Sequence, residues 1–240
     1  MIISSPCLAP DSAHQVLLIK NSPSAADGLN IGIERAGNEW GVFLHQDVLL
    51  PPGWDGCVAD QLQEAERRFG PIGVAGVYGV GEIITSGDLT ESLAAERIGW
   101  VVDRGHVLLD GPELPAQVAT LDELVLVVRR DSDLRFDPAL RFHLYGADIC
   151  LQAREQGLAV VALAAPCRHN SRSVGLPEAF YDSAAIFARK WSHRLPVATP
   201  CVVIDRLGEV YLLGNATERP GSVAIAVRCL CPGIPQTVAS

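Results

Sequence analysis

Short apolar runs bounded by turn residues alternate along this chain with segments whose apolar positions recur at helical spacing. Runs at 15–20, 40–44, 124–129 and 158–163 predict strands. Residues 70–81 are apolar and Gly-rich, but Gly73, Gly76, Gly79 and Gly81 do not make a Gly-x-Gly-x-x-Gly loop and no helix follows at once. The segment therefore predicts a buried strand plus a turn rather than a phosphate loop. Residues 25–36 predict a helix, with Leu29, Ile31, Ile33 and Ala36 on one side, Ser24 as a cap and Gly37-Asn38 as the stop. Residues 57–69 predict another, turning Val58, Leu62, Ala65 and Phe69 inward and Glu64, Glu66, Arg67 and Arg68 outward. A short helix carries Ile149, Cys150, Leu151 and Ala153 and is closed by Gly157, and residues 182–191 form a further one. Short strands at 100–102 and 107–109 flank an Arg104-Gly105 turn, residues 85–97 are polar, and 200–213 alternate around Arg206-Leu207-Gly208 as a hairpin does. No internal repeat is present, and one domain over 1–240 is expected, with an irregular start at 1–14 and a tail at 214–240.

The candidate chemistry lies where this pattern breaks. The apolar run after Trp40 stops at His45-Gln46-Asp47, and the chain turns at Pro51-Pro52-Gly53 before Trp54. In a parallel α/β sheet the carboxyl ends of strands line the ligand crevice. A His and an Asp two apart at such an end can both reach one cation, or one cation and one sugar; a polar strand end without chemistry is the alternative. Asp148 falls in the first turn of its helix, where the dipole favours a carboxylate and where acids are common for that reason alone. His169 follows the 158–163 strand on the loop Ala165-Pro-Cys-Arg-His-Asn-Ser171.

A strand ending in a polar triplet, a Gly-Ala-Asp helix start, and then a strand and a loop His resembles the layout of GT-A glycosyltransferases. The wording Phe-Leu-His-Gln-Asp-Val, Phe-His-Leu-Tyr-Gly-Ala-Asp-Ile-Cys-Leu-Gln-Ala-Arg and His-Asn-Ser is similar to the bacterial glycosyltransferase family 2-like group, over about residues 24–201. The resemblance implies an α/β fold of the Rossmann-like, nucleotide-diphospho-sugar transferase type: a mixed, mainly parallel sheet with helices on both faces. Such domains open with a strand, a base-holding loop and a helix. Here only residues 1–14 precede the strand expected at Gln15, so that first strand is expected to be shortened or missing.

The same resemblance implies a metal-assisted, inverting displacement that moves a sugar from a nucleotide-sugar donor to a hydroxyl acceptor. Asp47 matches the last acid of the family's Asp-x-Asp triplet, and His45 stands at its first. His169 matches a loop His that completes the metal site. The imidazole at position 45 favours Mn²⁺ over the harder Mg²⁺. Asp148 matches the catalytic base, and a base near a helix N-terminus stays ionised at neutral pH. Beside His169, Arg168 and Arg172 are placed to meet the donor phosphates. His143 and Tyr145 either contact the acceptor or pack, and Trp54 and Trp191 either stack on a sugar face or belong to the core.

Composition narrows the partners. The 240 residues are 48% hydrophobic, with a mean hydropathy of +0.21, enough for one sizeable core. The net charge of −9 argues against a nucleic-acid surface. No apolar run has the length of a membrane span and no leader pattern opens the chain, so a cytoplasmic protein without a transmembrane segment is expected. Seven cysteines, with Cys229 and Cys231 the only close pair, make a poor zinc pattern and read as reduced thiols. Two alternatives to the transferase stay open: a non-catalytic member of the fold that binds a sugar or a protein, and a metal-dependent hydrolase using His45, Asp47 and His169.

Overall fold

A computed structural model of the protein describes residues 4–84, 94–171 and 175–213. Helix α1 (Ala25–Arg35) starts where the Ser24 hydroxyl accepts the Asp27 backbone N–H at 3.0 Å. Strands β1 (Trp40–Leu44) and β2 (Val48–Leu49) follow. Helix α2 (Trp54–Phe69) begins at Trp54, ahead of the expected Cys57, because Gly53 at φ 74° turns the chain out of Pro51-Pro52. The Gly-rich segment becomes β3 (Ile72–Gly76) and β4 (Tyr78–Ile84). Gly79 is required by close approach, since a Cβ there would lie 2.4 Å from the Thr120 carbonyl oxygen. Next come β5 (Ala94–Asp103), β6 (His106–Asp110), β7 (Ala116–Gln117), β8 (Thr120–Leu121) and β9 (Val125–Arg129). Helix α3 (Tyr145–Glu155), β10 (Ala159–Ala162), β11 (Arg168–His169), α4 (Glu178–Lys190) and the strands β12 (Val197–Ala198), β13 (Val202–Ile204) and β14 (Val210–Leu212) complete the described chain.

The central sheet has the order β1-β9-β3-β10-β7. It is mixed, but the expectation of mainly parallel strands is corrected. Only β3 and β10 run parallel, while β9 opposes both β1 and β3, and β7 opposes β10. The chain leaves β3 through the hairpins of a second sheet and re-enters as β9 from the far end, a return that needs no crossover helix. The run at 15–20 is not a strand. It has no ladder partner among the described residues, Leu18 is 64% exposed, and the Gln15 side chain is tied instead to the Arg35 carbonyl and the Gly37 N–H.

Helices do cover both faces of the central sheet. On one side α2 buries Trp54, Val58, Leu62 and Ala65 against Ala75, Val127 and Val161. On the other, α1 and α3 bury Ala26, Ile33, Ile149 and Ala153 against Val74, Leu126 and Val160. A further cluster joins Ala147 and Leu151 of α3 to Phe180, Ala184 and Phe187 of α4. Helix α3 is therefore packed on nearly every side, which is why its pattern is apolar all round rather than one-sided.

The second sheet runs β2-β11-β5-β4-β8 with β6 beside β5, and a small third sheet joins β12, β13 and β14. The third sheet is the hairpin expected around Arg206-Leu207-Gly208. No helix among the described residues is long and apolar enough to cross a membrane. Residues 214–240, which include Cys229 and Cys231, lie outside the described residues.

Candidate functional site

His45, Asp47 and His169 meet at the carboxyl end of β1. One ligating atom from each lies within 4.8 Å of the others. Backbone pairing brings them together. The Val48 N–H donates to the His45 carbonyl at 3.1 Å, closing a turn that carries Asp47. Strand β2 then pairs antiparallel with β11, setting Val48 opposite His169, and the Asn170 N–H donates to the Asp47 carbonyl at 3.1 Å. The loop histidine of the sequence pattern is thus part of a short strand.

Each of the three side chains is oriented differently. His45 Nε2 and the Tyr145 hydroxyl are 2.9 Å apart, leaving Nδ1 as its free nitrogen. His169 Nε2 lies 3.5 Å from Asp47 Oδ1, and its Nδ1 lies 3.4 Å from Asp103 Oδ1. Asp103 is itself held by the Ser171 N–H and hydroxyl, at 3.2 and 2.8 Å. A carboxylate behind the second nitrogen of a histidine fixes its tautomer and ring orientation for a metal on the first. Asp47 Oδ1 is buried and accepts no hydrogen bond. A buried carboxylate oxygen is costly to leave without a partner, so an orphan facing two imidazoles fits a cation ligand. Burial holds the His45 imidazole below its ordinary range, against the pull of Asp122, with His169 adding to the effect and Asp47 opposing it. That shift favours the neutral imidazole, the form that ligates.

Behind the triangle stands the N-terminus of α3. The loop before it holds two non-glycine residues in the left-handed region, Arg141 at φ 54° and Leu144 at φ 62°. The helix has no cap from its own N-cap residue; instead Glu123 Oε1 accepts the Gly146 N–H at 3.0 Å. Burial pushes the Glu123 carboxyl up to about 8, opposed by backbone N–H groups of Gly146, Tyr145 and Leu144 and aided by Asp122.

The other expected site residues are placed as follows. Asp148 is in the first turn of α3, but it is 0% exposed. It accepts from Trp191 Nε1 at 2.8 Å, Gln152 Nε2 at 2.7 Å and Lys190 Nζ at 2.8 Å. Burial raises its pKa, against these donors. That makes it an anchor between α3 and α4 rather than an open base. Trp54 and Trp191 are core residues, 2% and 3% exposed, and their indole N–H groups donate to the Ala165 carbonyl and to Asp148. Neither ring offers a face for a sugar to stack on. Tyr145, 4% exposed, meets His45 rather than an acceptor. His143 is half-buried, edge-on to Phe180 at 5.5 Å. Arg168 is exposed, and as the strand neighbour of His169 it faces the opposite side from the triangle. Arg172 lies outside the described residues.

The sequence reading missed Asp103, Asp122 and Glu123. Their only sequence signal was position: Asp103 ends a strand at a turn, and the pair Asp122-Glu123 precedes an apolar run.

Two imidazoles and a carboxylate converging at a strand end, on a mixed α/β sheet, make a group that could hold a metal ion. A family model described as "Glycosyltransferase like family" matches residues 4–191, and the chain belongs to that family. Among curated proteins it is similar to "ATP synthase subunits region ORF 6" of Fuscovulum blasticum, with 29% identity over 168 residues. That match covers 68% of this chain and 64% of the relative.

Proposed function

We propose that the protein transfers a sugar from a nucleotide-sugar donor to a hydroxyl acceptor, with a divalent cation held by His45 Nδ1, Asp47 and His169 Nε2. The observation that carries this reading is the buried Asp47 Oδ1, which accepts no hydrogen bond and converges with two imidazoles, in a chain of the glycosyltransferase-like family. A cation bound there supplies charge to stabilise the diphosphate leaving group, and the mixed N/O donor set favours Mn²⁺. The chain's own residues do the rest of the orienting. Tyr145 fixes His45, Asp103 fixes His169, and the Asp148–Trp191–Lys190 contacts hold α3 where Tyr145 can reach its partner. Inversion follows if the acceptor oxygen attacks the face opposite the departing diphosphate in one step.

The test is a thermal-unfolding screen of UDP-, GDP- and dTDP-sugars with and without Mn²⁺, followed by release of nucleoside diphosphate. A shift that requires Mn²⁺ and nucleotide together, with turnover, is the expected result. A metal-dependent hydrolase would instead bind Mn²⁺ tightly without nucleotide. A non-catalytic sugar binder would show a shift and no turnover.

A further inference from the structure

We propose that Asn30 is a positioning residue of the cation site: by way of Phe136 it sets the Tyr145 ring, and through that ring His45. This rests on the reading of His45, Asp47 and His169 as cation ligands. It assigns a role to a residue outside that triangle and outside the motifs around it.

The need for Asn30 starts from the backbone. Phe136 is 0% exposed, yet residues 134–137 belong to no helix and no strand. Its peptide groups have no ladder to satisfy them, and a backbone group left unpaired in the interior is costly. One side chain from α1 meets both. Asn30 Oδ1 accepts the Phe136 N–H at 2.9 Å, and Asn30 Nδ2 donates to the Phe136 carbonyl at 2.7 Å. An amide suits this place because it carries an acceptor and a donor side by side, whereas a carboxylate would bring no donor for the carbonyl.

The ring fixed in this way touches both elements that carry the His45 contact. Phe136 stands edge-on to Phe43, with centroids 5.3 Å apart, and edge-on to Tyr145 at 5.9 Å. Phe43 lies on β1, just before His45. Tyr145 opens α3, and its hydroxyl is 2.9 Å from His45 Nε2. Phe136 is thus a wedge between the end of β1 and the first turn of α3. It holds them at the separation that the Tyr145–His45 contact requires.

Helix α1 is the frame for this wedge. The Ala26 N–H at its start donates to the Arg141 carbonyl at 3.3 Å, in the loop that leads into α3. Gly32 lets the helix lie against Phe43, since a Cβ there would sit 2.9 Å from the Phe43 ring. From the other side, Gln152 of α3 donates to the carbonyl of Arg135, the neighbour of Phe136, at 2.8 Å. A segment without regular structure is therefore held on adjacent residues by amides from two helices.

Ligation asks more of this arrangement than packing does. A ligand ring must be held to within about 0.5 Å and about 10–20° of its working geometry, by neighbours that are themselves locked. Tyr145 supplies the hydrogen bond to His45. Phe136, locked by Asn30, decides where the Tyr145 hydroxyl stands.

The experiment is a double-mutant cycle of Asn30→Ala with Tyr145→Phe. It is read by calorimetric titration of Mn²⁺ in the presence of UDP or GDP, and by ¹⁵N NMR of the histidine rings in the metal-free protein. Asn30→Ala should weaken Mn²⁺ binding about tenfold, the low end of the range for losing an orienting partner. In the Tyr145→Phe background the same change should cost less than about twofold, because the path to His45 is already cut. The metal-free His45 ring signals should shift or broaden in Asn30→Ala, while those of His193, paired with Glu155 at 2.7 Å, stay in place. Phe136→Leu keeps an apolar side chain in the core and removes the ring edge. It should reproduce both effects, and it decides if Asn30→Ala does not fold. Lower stability with unchanged Mn²⁺ affinity and unchanged His45 signals overturns the proposal and leaves the cation reading intact. An equal loss of affinity in both backgrounds overturns it as well. Wild type that binds Mn²⁺ with neither UDP nor GDP overturns the cation reading, and this role with it.

Discussion

The Tyr145 hydroxyl and His45 Nε2 are 2.9 Å apart although 100 residues separate them in the chain. This contact couples the first turn of α3 to the end of β1, and it leaves His45 only Nδ1 for a ligand. Tyr145→Phe keeps the ring packed edge-on to Phe136 and removes only the hydroxyl. Mn²⁺ affinity should fall about 10- to 100-fold, the range for losing an orienting partner. Stability should fall by about 1–3 kcal/mol, because His45 Nε2 is left without its partner. Calorimetric titration with Mn²⁺ checks the first and urea unfolding the second. Unchanged Mn²⁺ affinity would remove His45 from the ligand set.

Asp47→Asn tests the orphan oxygen. In metal-free buffer the variant should be close to wild type in stability, because the buried Oδ1 accepts no hydrogen bond and loses only its 3.5 Å pairing with His169. Added Mn²⁺ with UDP or GDP should then raise the wild-type melting temperature and leave the variant's in place. Saturating a site at about 100 times its Kd stabilises by about 2.7 kcal/mol, a shift that calorimetry resolves.

Asp148→Ala should be costly to the fold. It strands the buried Trp191 indole N–H, while the Lys190 ammonium keeps its Asp137 partner, a loss of about 1–3 kcal/mol. Lys190→Met should cost less, since Trp191 and Gln152 still donate to the carboxylate. Denaturant unfolding of the two single variants and the double measures the coupling. If Asp148→Asn proves fully stable yet inactive, Asp148 returns as the base.

Glu123 gives stability a defined pH dependence. Its folded pKa, about 8, is raised above the ordinary 4.5. A raised value means the folded state binds the proton more tightly than the unfolded chain does. The resulting stabilisation is full below about pH 4.5 and is lost as pH rises through about 8. Glu123→Gln lacks this loss. Its stability relative to wild type should therefore climb between these values and level off above them. Thermal unfolding in matched buffers would show a constant difference if Glu123 did not titrate in this window.

Local pattern announced most of the elements. The helical spacing of Val58, Leu62 and Ala65 gave α2, and the apolar runs gave β1, β3, β9 and β10. Strand direction was not legible, because an apolar run reads the same either way. The run at 15–20 has strand composition but no neighbour to complete its hydrogen bonds, and composition does not reveal neighbours. At the site, His45, Asp47 and His169 were visible as polar breaks after apolar runs. Asp148 was visible too, but its role was not: a helix-start acid looks alike whether it faces a cleft or an indole N–H from α4. Glu123 escaped notice because it caps a helix that begins more than twenty residues downstream, a contact made only in three dimensions.

The β2–β11 ladder makes the three ligands unequal partners. Asp47 and His169 are stitched to each other by neighbouring backbone bonds, so their approach is completed when the sheet folds and little entropy remains to be lost there on ligation. His45 stands outside that ladder, and its ring is set by Tyr145 of α3. In the proposed site the grip on an ion would therefore have a fixed jaw and an adjustable one. A displacement of α3 on α4 would loosen or tighten the proposed site without disturbing the strands that carry most of it.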